Sequence, residues 1–154
     1  MYENKRSAVI DFRIVTRVDG AEEVTEYSGD ASCVETEGGF YTSFEEKIPG
    51  AEEKVQTLLK AEEILALAGE NRWKLTLTRR GPIQTKMVFM TGEVTHCPYR
   101  TPAGVLLFDI DTQSTSFSQD YNGAAASAAY RVLQGGEEIS RAEFLLQITY
   151  VAQA

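Results

Sequence analysis

His96 and Cys97 stand side by side, and a thiol next to an imidazole is the first pair in this chain that could do chemistry. His96 is the one histidine, and Cys33 is the one other cysteine. On an extended segment, adjacent side chains point to opposite faces, so these two do not easily share a ligand sphere. Two ligands are also too few for a structural zinc site. A nucleophilic thiol needs a base and an orienting group, and the sequence offers neither. Glu45 and Glu46 diverge for the same reason, which argues against a glycosidase-type carboxylate pair. Arg79 carries more. On the apolar face of a strand its guanidinium must find a carboxylate, carbonyls or water, because an unpaired buried charge is very costly. In a barrel that position would anchor the head group of an anionic ligand, with a fork suited to carboxylate. The plainer alternative is an arginine that pairs internally, or reaches solvent, at the end of the core. Glu45 shares parity with Tyr41 and Ser43. Facing inward it would pair with Arg79 as a structural ion pair or polar floor; the plainer alternative is a solvated strand face.

The element that must position Arg79 is the stretch 73–90, W-K-L-T-L-T-R-R-G-P-I-Q-T-K-M-V-F-M. Trp73, Leu75 and Leu77 alternate with Lys74, Thr76 and Thr78, and Ile83, Met87 and Phe89 share a face of the second strand. Matching the two apolar faces predicts Arg79 opposite Ile83, Leu77 opposite Thr85, Leu75 opposite Met87 and Trp73 opposite Phe89. A slip of one residue would turn Lys86 into the core. The loop is then Arg80, Gly81 and Pro82, and Arg79 falls at the turn end of the apolar face.

A chain of 154 residues, 43% hydrophobic and 25% charged, suits one domain, taken as 1–154, with a real core. A net charge of -8 argues against nucleic acid or an anionic membrane as partner. No apolar run is long enough to span a bilayer, and the charged, alternating N-terminus is no signal peptide. Without an export signal the two cysteines read as reduced thiols, and the cytoplasm as the location.

Along the chain, residues 5–18 alternate cleanly, with Ala8, Ile10, Phe12 and Ile14 on one face. Asp19-Gly20 is a hairpin turn signal and Asn122-Gly123 the best one in the chain. Phe40, Thr42 and Phe44 share one side of a third strand; Tyr41, Ser43 and Glu45 share the other. Residues 105–111, V-L-L-F-D-I-D, form a strongly apolar strand that suits cover on both faces. Pro98 confines its segment to an edge or loop. Residues 124–133 are rich in alanine, and the last strand puts Phe144, Leu146, Ile148 and Tyr150 on one face. About ten short-linked strands predict an antiparallel meander that closes on itself.

Five stretches in order, G-G-F-Y-T-S-F-E-E (38–46), L-T-R-R-G (77–81), K-M-V-F (86–89), Y-R-T-P-A-G-V-L-L-F-D-I (99–110) and E-F-L-L-Q-I (143–148), resemble the YwiB-like family. These are small uncharacterised proteins found mainly in Gram-positive bacteria. The resemblance runs over nearly the whole chain. It implies a calycin-like β-barrel akin to lipocalins and fatty-acid-binding proteins, and no established activity or catalytic motif. Two departures stand out. Residues 61–72 look like an insertion, so a strand is expected over 54–60 and a short helix over 61–68. Ala103 replaces an aromatic frequent in the family, which would widen a barrel mouth.

The expectation is therefore all-β: a single antiparallel calycin- or lipocalin-like barrel of eight to ten strands with one short helix. The function read from it is non-catalytic binding of a small amphipathic or anionic molecule. Trp73, Leu75, Leu77, Met87, Phe89 and Phe108 would be the walls, Arg79 the anchor, Glu45 and Tyr41 polar neighbours, and Tyr99 a gate. No cofactor, metal, nucleic acid or membrane is implied. The alternative is a packed barrel acting through its surface as an interaction or oligomerisation module, a homodimer for instance.

Overall fold

A computed structural model describes residues 4–47, 53–65 and 71–152. They form ten strands: β1 (Asn4–Val18), β2 (Ala21–Thr36), β3 (Gly39–Glu46), β4 (Val55–Leu65), β5 (Asn71–Arg80), β6 (Gln84–Phe89), β7 (Val94–Thr101), β8 (Gly104–Gln119), β9 (Gly123–Gln134) and β10 (Glu137–Tyr150). Each strand pairs antiparallel with the next, and β1 pairs with β10, so the sheet closes as a barrel. The helix expected over 61–68 does not form where it can be seen. Residues 61–65 continue β4, paired with β5 from Leu65↔Asn71 onward; 66–68 lie outside the described residues. Helix propensity is a weak prior, and here ladder pairing on both sides overrides it.

Alternation decides what goes inside. Ala8, Ile10 and Phe12 of β1, Phe40, Thr42 and Phe44 of β3, and Phe144, Leu146 and Ile148 of β10 are buried. β9 contributes Ala124, Ala126 and Ala128, whose small side chains leave room for the rings opposite. Those rings meet in a chain: Trp73 packs on Phe117 and Phe117 on Phe40, while Phe12, Phe144, Phe89 and Tyr130 follow one another at centroid distances of 4.8–5.9 Å. This aromatic layer fills the barrel from its middle towards the end that carries the β2–β3 turn.

The central hairpin keeps its predicted faces but not its predicted register. Leu75 lies opposite Phe89, Leu77 opposite Met87 and Arg79 opposite Thr85. The shift is two residues, so every side chain stays on its own face and the apolar pattern cannot distinguish the alternatives. The observed turn is the wider Gly81–Ile83, entered by Gly81 at a φ of 139°. β8 brings another correction. Val105, Leu106 and Leu107, expected under cover on both faces, are 53%, 47% and 68% exposed.

Candidate functional site: a half-filled barrel with a buried ion pair

At the opposite end, where the turns after β1, β5, β7 and β9 lie, the barrel is not filled. A cavity of about 430 Å³ remains there. Its walls include Phe12, Tyr27, Met87, Tyr99, Phe108 and Tyr130. Its polar groups include Arg79, Glu46 and Cys97, and towards the turns Thr16, Glu23, Thr25, Glu26 and Lys47.

Cross-strand register builds the polar part. Thr57, Arg79, Thr85 and Tyr99 stand directly opposite one another on β4, β5, β6 and β7. Glu46 comes in from β3, on the parity of Phe40 and Phe44. Arg79 Nε donates to Glu46 Oε1 at 2.7 Å, and Thr57 Oγ1 donates to the same oxygen at 2.5 Å. The two charged side chains are 12% and 7% exposed. Among the described residues, the terminal guanidinium nitrogens of Arg79 make no hydrogen bond. Thr85 Oγ1 and Cys97 Sγ lie 3.2 Å apart beside them.

The remaining protons are held firmly. Burial pushes the Tyr130 phenol up to about 12, although the Arg79 charge pulls the other way. Burial also raises the Cys97 thiol, partly offset by its hydrogen bond with Thr85 and by Arg79. Tyr27 is raised by burial first, then by the charges of Glu45, Glu46 and Asp30. At neutral pH the site thus presents a neutral phenol, a neutral thiol and an internally balanced ion pair. A thiol of raised pKa is a poor nucleophile. The arrangement can orient a polar group; among the described residues it holds no nucleophile with an adjacent base.

Of the residues singled out from the sequence, Arg79, Met87, Tyr99 and Phe108 come together on this cavity. Trp73 and Phe89 do not; they belong to the aromatic layer beyond it. Glu45 and Tyr41 are corrected outright. Both point out of the barrel, Glu45 to Gln56 at 2.7 Å and towards Lys54, and Tyr41 beneath the Lys60 ammonium. Parity explains it: Phe40, Thr42 and Phe44 face inward, so Glu46 does and Glu45 cannot. Glu46 was thus readable from the alternation. Tyr130 was too, since it continues the run Ala124, Ala126, Ala128. His96 and Cys97 part as expected for neighbours in a strand: Cys97 is inside, and His96 is outside with its Nδ1 2.6 Å from Asp109. Cys33 and Cys97 are both free and buried. Among the described residues no group of three His, Cys, Asp or Glu side chains could hold a metal, and no helix is long and apolar enough to cross a membrane.

The model of a family described as a domain of unknown function (DUF1934) matches residues 10–146. The chain belongs to the DUF1934 family. A solved structure, described as the crystal structure of ywiB protein from Bacillus subtilis, superposes with a TM-score of 0.78 at 20% identity. The match covers 96% of this chain and 94% of that one. At that identity the likeness establishes the shared barrel and carries no activity across. No curated protein matches the chain. The DUF1934 barrel described here thus has a family and a fold, and its site must be read from its own side chains.

Proposed function

We propose that this DUF1934 barrel is a non-catalytic binding protein for a small amphipathic molecule, held in the cavity in the manner of a calycin. The observation that carries the reading is the buried Arg79–Glu46 pair at an apolar cavity of about 430 Å³. That volume lies in the range of roughly 300–1,000 Å³ usual for small-molecule sites. Phe12, Met87, Tyr99 and Phe108 would contact the apolar body. The polar end must accept hydrogen bonds, because Arg79 offers its terminal N–H groups and Tyr130 its phenol. Glu46 already balances the guanidinium, so the site suits a neutral acceptor or a single carboxylate and disfavours multiply charged anions. Two free buried thiols fit a reducing compartment such as the cytoplasm.

The test is native mass spectrometry against the denatured mass, followed by titration with the amphipathic dye anilinonaphthalene sulfonate. The expected result is saturable one-site fluorescence enhancement that disappears in Met87→Trp, which fills the cavity, while thermal unfolding is unchanged. Absence of both a copurifying mass and dye binding would overturn the reading. So would dye binding that survives Met87→Trp.

A further inference from the structure

The β7–β8 hairpin projects past its neighbour. On one side β6 accompanies β7 as far as Arg100. On the other, the β8–β9 ladder begins only at Asp109↔Leu133, and β9 ends at Gln134. Residues 104–107 of β8 are therefore paired with β7 and have no β9 partner. Among the described residues this is a free strand edge within a closed barrel. Free edges are hazards unless charges, prolines or bulges guard them. Among the described residues, β2 shows the guarded kind. Its residues 21–31 have no β3 partner, and that stretch carries Glu22, Glu23, Glu26 and Asp30. The β8 edge is not guarded by charge: residues 101–108 carry none. Val105 and Leu107 lie on one face and Leu106 on the other, and all three are about half exposed or more.

We propose that this edge pairs with the same edge of a second copy, antiparallel about a two-fold axis at Leu106. The sequence of the edge is self-complementary under that operation: Leu106 meets Leu106, and Val105 of each copy meets Leu107 of the other. Such isologous contact is the commonest way for a chain to dimerise. On the outer face, Pro98, the β7 partner of Leu107, extends the apolar row. Charge selects the second copy over other partners. Each molecule carries a net charge of -8, and two such molecules approach with least repulsion through an uncharged strip. A basic partner, by contrast, finds no carboxylate on residues 101–108 to recognise. Salt, which screens the repulsion of two acidic molecules, should strengthen this dimer.

Sedimentation equilibrium of the full chain over a range of protein and salt concentrations tests the pairing. The expected result is a monomer–dimer equilibrium that shifts towards dimer with salt and is lost in Leu106→Lys, whose thermal transition stays that of the parent. A cross-linking pair makes the register falsifiable. Leu106→Cys places two thiols directly opposite across the axis and should oxidise to a covalent dimer. Val105→Cys places its two Cα atoms roughly 8 Å apart, from strand and residue spacings, too far for a disulfide. Cross-linking of Val105→Cys without Leu106→Cys overturns the proposed axis. A monomer at every concentration overturns the dimer. Dye binding in the cavity is independent of either result, because Val105, Leu106 and Leu107 are not among the residues that line it.

Discussion

Glu46 Oε1 takes hydrogen bonds from both Arg79 and Thr57 inside the barrel wall. Such a pair is expensive to break from one side, since the surviving charge stays buried without a partner. Glu46→Ala should therefore cost about 3–5 kcal/mol in urea unfolding, and Arg79→Ala a comparable amount. The double variant Arg79→Met with Glu46→Leu should recover most of that loss while losing the polar-head preference of the cavity. A near-additive double variant would show that the pair is not coupled. Tyr130 gives a pH signature. Its folded value of about 12 lies above the ordinary 10.0, so the proton is bound more tightly in the folded state. The resulting stabilisation is complete below pH 10 and is lost as the pH rises towards 12. The urea midpoint should fall across that window, and less steeply in Tyr130→Phe. Both residues sit where strand parity places them. What alternation could not supply was the partner, because Glu46 and Arg79 are 33 residues apart and meet only through the β3–β4–β5 ladder.

Among the elements, β6 and β7 are joined most weakly. Their ladder consists of Gln84↔Arg100 and Thr85↔Tyr99. Pro98 has no N–H to give, and the Thr95 hydroxyl, not a backbone amide, bonds the Val88 carbonyl. Hydrogen exchange should show the β7-facing amides of 86–89 opening before those facing β5; uniform protection on both sides would contradict this. The strand edges also explain what the sequence hid. Pro98 was expected to confine its segment to an edge or loop; the segment is instead strand β7, paired with β8 through Pro98↔Leu107 and thinly joined only on its β6 side. The Asn122-Gly123 signal pointed to the right place for the wrong reason. The turn is held by Asp120, whose carboxylate accepts from the amides of Asn122 and Gly123. Gly123 is required because a Cβ there would stand 1.8 Å from the Ile148 carbonyl oxygen. Gly123→Ala should accordingly destabilise by about 3 kcal/mol, as overpacking against rigid backbone does.

For the molecule as a whole, local pattern announced an antiparallel barrel of eight to ten strands and the inner face of most of them, and missed that 61–65 continue a strand. It could not announce which half of the barrel would be plugged, because that depends on Trp73, Phe117 and Phe40 converging from three distant strands. Nor could it show where neighbouring strands end relative to one another, which is what frees the β8 edge. Closure itself rests on β1, which holds β2 on one side and β10 on the other, from Ala8↔Tyr150 to Arg17↔Arg141. During synthesis the first strand leaves the ribosome long before its last neighbour exists. Until residue 150 is out, the nascent sheet carries two long open borders and cannot seal. A chaperone that shields extended segments would have its work concentrated in that interval. Chains stopped before β10 should partition into inclusion bodies, while release of the full chain should be followed by a single late gain of protease resistance.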